Sequence, residues 1–210
     1  MKVCEIFRSI QGESSYAGLP CLFIRLSGCN LRCSYCDTTY AYEEGMEMTI
    51  EEVKDEVRKS GLRMVEITGG EPLLQDDIIP LVDGLVEEGY RVLIETNGSL
   101  DIRRVNKRAI IVMDIKTPSS GMSSMFRLSN LEALKPEDEM KFVLCNREDY
   151  EWALDFLRRY SLTERCAILF SPAFGILNPE ELSRWILEDR IDVRLNLQIH
   201  KYIYTLSRGV

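Results

Sequence analysis

The sequence predicts an α/β fold: a partial, incomplete TIM-type barrel, a mainly parallel sheet with outer helices, in one domain spanning residues 1–210. Short apolar, β-branched runs alternate with stretches of helical period, which implies parallel strands joined by crossovers. The runs themselves are nearly all apolar, as strands covered on both faces must be. Polar and turn-forming residues collect just after them: TGGEP at 68–72, ETNG at 95–98, DIKTP at 114–118, CN at 145–146 and SP at 171–172. Barrels of this kind assemble their active sites on that rim, and doubly wound sheets also bind ligands at carboxyl ends.

The expected strands are 3–7, 22–26, 64–68, 92–95, 110–115, 142–145, 167–170 and 193–198. Helices lie between them. Thr49 and Glu52 form a capping box ahead of Ile50, Val53 and Val57, which share one face. Asp77 precedes Ile78, Leu81, Val82 and Leu85, and Gly89 supplies the stop. Trp152, Phe156, Leu157 and Tyr160 mark a third helix. Asn178-Pro179-Glu180-Glu181 opens a fourth, with proline at the first helical position ahead of Leu182, Trp185 and Ile186. These aromatic stripes read as core. Residues 117–137 are irregular, with room for one short helix, and a loop of that length in a compact domain is functional or mobile.

Composition removes several function classes. A net charge of −8 argues against a nucleic-acid partner, which needs a clustered basic surface. Arg103-Arg104 and Arg158-Arg159 read as solvated helix faces. No apolar stretch is long enough to span a membrane, and MKVCEIFRSI lacks the layout of a signal peptide, which points to a cytoplasmic protein. The single histidine, His200, rules out a multi-histidine zinc site, and a Ser-His-Asp triad would have to use it.

Of seven cysteines, Cys4, Cys21, Cys145 and Cys166 sit within or beside apolar runs and read as small buried hydrophobes. Cys29, Cys33 and Cys36 stand apart in GCNLRCSYCD, at spacing C-x3-C-x2-C. Zinc would need a fourth ligand such as Cys21, Cys4 or His200, and zinc motifs usually bring a second C-x2-C pair, absent here. A closed four-thiolate iron–sulfur cluster would need Cys21. The third reading is a [4Fe–4S] cluster on three thiolates with one iron open to a small molecule. Spacing alone leaves all three standing.

The spacing, with Tyr35 before the last cysteine, matches the signature of the radical S-adenosylmethionine superfamily, and TGGEP resembles that superfamily's second common motif. FRSIQGES at 7–14, FIRLSGCNLRCSYCDTTYA at 23–41, TPSSGM at 117–122 and the closing LQIHK and RGV extend the likeness over nearly the whole length. These blocks resemble the 7-carboxy-7-deazaguanine synthase family. The resemblance implies a radical lyase that turns 6-carboxy-5,6,7,8-tetrahydropterin into 7-carboxy-7-deazaguanine with loss of ammonia, a step toward queuosine-type deazapurines. It implies a [4Fe–4S] cluster, S-adenosylmethionine and Mg²⁺, an electron donor such as flavodoxin or ferredoxin, and a homodimer. A glycyl-radical activating enzyme shares the cluster motif but lacks SIQGE before it; a non-enzymatic zinc or iron–sulfur protein is the other alternative.

By the same resemblance, Cys29, Cys33 and Cys36 hold the cluster, and Tyr35, Cys36, Asp37, Gly70, Glu71, Asp114, Lys116 and Ser171 contact S-adenosylmethionine. Ile10, Gln11, Gly12, Arg25, Thr68 and Val210 contact the pterin, and Thr38 is the magnesium ligand; no side chain is required as a strong acid or base. Arg25 also stands out physically, because an arginine inside LFIRL is costly to bury unpaired and its guanidinium fork suits a carboxylate. Two departures are visible: DIK stands where many relatives have Ser-Pro-Lys, and QGES where they have QGEG, so Ser14 must accept a glycine's backbone angles.

Overall fold

The computed structural model describes residues 1–204 and 209. It contains β1 Lys2–Ile10, β2 Pro20–Leu26, β3 Met46–Glu47, α1 Ile50–Ser60, β4 Met64–Gly69, α2 Ile78–Glu87 and β5 Arg91–Thr96. There follow β6 Ile110–Ile115, β7 Glu139–Leu144, α3 Arg147–Tyr160, β8 Ala167–Pro172, α4 Pro179–Asp189, β9 Arg194–Leu195 and α5 His200–Ile203. All nine strands form one sheet in the order β3-β1-β2-β4-β5-β6-β7-β8-β9. From β2 to β9 every pair is parallel, and β1 is antiparallel to both β2 and β3. The sheet is open, with β3 and β9 as its edges, so the barrel is partial as expected.

Side chains alternate across a strand, and here the two faces differ sharply. Ile24, Ile67, Ile94, Met113 and Phe142 face the helices in one large core, together with Val53, Val57, Leu81, Leu85, Leu154 and Leu182. Val53 and Val57 are fully buried, each contributing about 1.5–3 kcal/mol. On the inner face, Cys21, Phe23, Met64, Leu93 and Val112 form a second, smaller core that fills the lower half. The upper half of that face is polar and forms the site.

The ends of the helices follow their sequence signals, with one exception. Thr49 and Glu52 complete both bonds of the capping box on α1. The Asn178 side chain caps α4, ahead of Pro179. Gly89 takes a φ of 84° just past α2. Asp77 makes no capping bond, because its carboxylate pairs with the Met1 ammonium at 3.1 Å instead.

Several strand limits shift. β7 starts at Glu139 rather than 142, because its charged residues Glu139 and Lys141 are buried on the inner face. The run at 193–198 keeps only Arg194–Leu195 as strand; just past it, Asn196 N donates to Phe170 O at 2.9 Å and its side chain to Ser171 Oγ at 2.8 Å. The 117–137 stretch holds three separate 3-10 turns rather than one short helix. Ser14 adopts φ 64°, the left-handed region that glycine takes freely.

Segments outside the sheet bridge its open side. Ile199 N donates to Gly12 O at 2.9 Å, and Gln198 Nε2 to Glu13 Oε1 at 2.8 Å. Ser15 N reaches the Glu139 carboxylate at 3.1 Å, so the β1–β2 loop also crosses to β7.

Candidate active site

The inner ends of the strands enclose a cavity of about 360 Å³, within the size range of small-molecule sites. Cys29, Cys33 and Cys36 all line it, in the loop after β2. That loop is fixed from three directions. Gly28 N donates to Ala41 O and Glu71 N to Gly28 O, both at 2.8 Å. Ser34 Oγ donates to Ser119 O at 2.6 Å and Ser34 N to Ser120 O at 3.1 Å, joining the loop to the irregular 117–137 stretch. The Arg32 guanidinium donates to Cys29 O and Leu31 O while lying 4.2 Å from the centre of the Tyr42 ring.

The three thiols are half-buried, and burial pushes Cys29 and Cys33 up, away from the thiolate, with neighbouring thiols of the trio adding to the effect. A bound metal would supply the positive charge that such a trio lacks. Among the described residues no three His, Cys, Asp or Glu side chains converge as one ion requires. Cys21 lies in the small lower core, fully buried, its thiol raised far above the ordinary range by that burial. Cys166 is buried too, whereas Cys4 and Cys145 are partly exposed, so the buried reading holds fully for two of the four. None of the four lines the cavity.

Gly69 and Gly70 pass directly beside the cysteine loop, and Gly70 lines the cavity. Glu71 does not. Fully buried, its carboxylate accepts from Leu73 N at 3.0 Å, Thr96 Oγ1 at 2.8 Å and Asn97 N at 2.7 Å. Burial nonetheless keeps that carboxyl above its ordinary range. Ser171 is also outside the cavity lining, 1 % exposed and hydrogen-bonded by Asn196. The structure therefore gives Glu71 and Ser171 bonds to the protein rather than a place on the cavity wall. Val210 lies outside the described residues.

The remaining expected residues come together. Tyr35, Asp37, Thr38, Asp114 and Lys116 line the cavity beside the cysteines, and Ile10, Gln11, Gly12, Arg25 and Thr68 line it from β1, β2 and β4. Thr38 Oγ1 donates to Asp37 Oδ1 at 2.9 Å. The Lys201 ammonium, 2.6 Å from Asp37 Oδ2, outweighs burial and holds that carboxyl down at about 2. Arg25 Nε donates to Glu5 Oε1 at 2.7 Å, and its guanidinium lies 5.7 Å from the Phe7 ring centre and 5.9 Å from that of Tyr40. A β-carbon on Gly12 would fall 1.9 Å from His200 Nδ1, so only glycine lets this histidine approach.

Comparison with known proteins identifies the family. The Radical SAM superfamily model matches residues 23–120. A 7-carboxy-7-deazaguanine synthase of Koribacter versatilis is 46% identical over 222 residues, covering 98% of this chain and 97% of its own length. One of Chlorobaculum tepidum is 45% identical, covering 100% of this chain and 97% of its own. This chain belongs to the 7-carboxy-7-deazaguanine synthase family. Membership of the radical SAM superfamily brings a [4Fe–4S] cluster and S-adenosylmethionine, and the three-cysteine loop fits the first. The fold agrees: the crystal structure of QueE from Escherichia coli superposes with TM-score 0.77 at 24% identity, covering 93% of this chain and 92% of that one. Streptococcus suis SuiB, in a structure bound to S-adenosylmethionine, gives TM-score 0.59 at 15% identity over 83% of this chain and 51% of its own.

The cavity also holds residues that sequence reasoning passed over: Glu13, Glu66, Glu95, Lys141 and Gln198. Glu66 and Lys141 carry a signal that was there to read, since each is a charged residue inside an apolar strand, in MVEIT and MKFVL, as Arg25 is in LFIRL. Glu66 is 5 % exposed and receives the Gln11 side-chain amide; burial first, then Glu95 and Glu13, push its carboxyl well up. Burial keeps His200, the single histidine, below its ordinary range.

Proposed function

We propose that this enzyme converts 6-carboxy-5,6,7,8-tetrahydropterin to 7-carboxy-7-deazaguanine and ammonia, and that Cys29, Cys33 and Cys36 hold its cluster. The single observation that carries the reading is that the cysteine loop, the glycines of TGGEP and the Gln11–Arg25–Thr68 wall open into one cavity. When bound, the cluster and S-adenosylmethionine supply a carbon radical that can take a hydrogen from a carbon no side chain could deprotonate.

The chain's own residues bind, orient and exclude water. Tyr35, Asp37, Gly70, Asp114 and Lys116 form the cofactor half of the cavity. Arg25, backed by Glu5, meets the substrate carboxylate, because a guanidinium offers paired donors to paired oxygens. Ile10, Gln11 and Gly12 present a strip of backbone and amide groups to the pterin edge. Thr38 serves Mg²⁺, and since one hydroxyl is far from six oxygens, substrate and water oxygens complete the shell. The enzyme works as a homodimer in the cytoplasm and takes electrons from a flavodoxin- or ferredoxin-like donor.

The test is direct conversion. Anaerobically reconstituted protein with reductant, S-adenosylmethionine, Mg²⁺ and the tetrahydropterin is expected to yield the deazaguanine, seen by mass, with ammonia in equal amount. Cleavage of S-adenosylmethionine without that product would point instead to a protein-activating enzyme.

A further inference from the structure

Lys141 rises from the middle of β7, 4 % exposed, into a nest of carboxylates. It donates to Glu13 Oε2 at 2.8 Å and to Glu95 Oε1, and stands 3.3 Å from Asp114 Oδ2. These partners come from three places: the β1–β2 loop, β5 and β6. An ammonium has three donors; here it hydrogen-bonds Glu13 and Glu95 and pairs by charge with Asp114, whose Oδ2 lies nearer the Lys116 ammonium, at 3.0 Å. The Lys141 charge is therefore committed to protein carboxylates.

What it leaves facing the cavity is acceptor capacity. Among the described residues Asp114 Oδ1 is buried with no hydrogen-bond partner, and Asp114 lines the cavity. Glu95 Oε2 takes only the Thr68 hydroxyl, at 3.1 Å, and Glu13 Oε1 the Gln198 amide. Three carboxylates this close would repel one another without the ammoniums of Lys141 and, at Asp114, Lys116 between them. Burial works against the Lys141 charge, but Glu13, Glu95 and Asp114 outweigh it and hold the proton firmly. Arg25, tied to Glu5, is the cation on the β2 wall of the same cavity.

We propose that Lys141 is a positioning residue that fixes Glu13 and Glu95 as paired hydrogen-bond acceptors in the cavity that Arg25 also lines. The cavity then takes a ligand with a carboxylate at one end and a series of N–H donors at the other. A tetrahydropterin acid has that chemistry, so the inference rests on the function proposed above and adds which group orders the heterocycle end.

Binding can be measured without turnover, using 6-carboxypterin and its decarboxylated counterpart, pterin, against the reconstituted holoenzyme by calorimetry. Lys141→Met is expected to weaken both ligands by about tenfold, the loss expected when charge-ordered hydrogen bonds disperse, with iron content unchanged. Arg25→Gln is expected to weaken 6-carboxypterin alone. If Lys141→Met does not fold, Glu13→Gln carries the test and should weaken both ligands by about threefold or more. Unchanged affinity in the variant used, or a loss confined to 6-carboxypterin, overturns the proposal. If the unaltered enzyme binds neither ligand, the pterin reading fails instead.

Discussion

Gly70 lies so close under Gly28 that a β-carbon on it would sit 2.0 Å from the Gly28 carbonyl oxygen and 2.8 Å from Cys29 Cβ. The two motifs far apart in sequence are therefore one object in space, with TGGEP as the floor of the cysteine loop. Gly70 needs no positive φ; what it needs is room. Backbone cannot yield as a flexible side chain can, so Gly70→Ala should displace the loop and cut both bound iron and S-adenosylmethionine affinity more than about tenfold. Gly84→Ala is the control: its β-carbon meets only the Lys54 Nζ tip, and the change should stabilise α2 by about 0.5–1 kcal/mol in a thermal melt.

Loss of any one cluster thiol should abolish iron retention. Cys29→Ala, Cys33→Ala and Cys36→Ala are each expected to bind little iron after anaerobic reconstitution, whereas Cys21→Ala should retain about four irons and four sulfides per chain. Loss of iron in Cys21→Ala would mean a closed four-thiolate site, which its place in the lower core opposes.

Arg25 carries two loads. Arg25→Gln should raise KM for the carboxylated substrate at least about tenfold, because a charge-assisted, paired contact contributes about 1.5–3 kcal/mol. It should also lower the melting temperature, since Glu5 loses the ion pair at 2.7 Å on a partly buried carboxylate. Steady-state kinetics and a melt separate the two effects.

Glu66 makes the fold pH-sensitive in a direction opposite to a salt-bridged carboxylate. Burial, then Glu95 and Glu13, raise its carboxyl, so the fold keeps a proton that the unfolded chain releases above the ordinary value of about 4.3. Stability is therefore lost as pH climbs from there to the raised value. Glu66→Gln, which can still accept the Gln11 amide, should match the unaltered protein near about pH 5 and exceed it in melting temperature near about pH 8.

The strand–helix order and the cysteine loop were legible because both rest on local pattern. Apolar runs mark strands wherever helices cover them, and C-x3-C-x2-C needs no partner to be seen. What the chain hid was non-local. Glu139 looks like a surface charge in EDEMK until β6 and β8 place it on the inner face. Glu71 sits in a ligand-binding motif, yet its carboxylate is spent on Leu73, Thr96 and Asn97, a use set by the β5 end twenty-odd residues on. Asp77 carried a capping signal, and the chain's own amino terminus claimed it.

One spectrum tests the open iron most directly. The reduced, reconstituted protein should show a [4Fe–4S] electron paramagnetic resonance signal whose shape changes when S-adenosylmethionine is added, because one iron has no cysteine and accepts the ligand. A signal identical with and without that compound would contradict it.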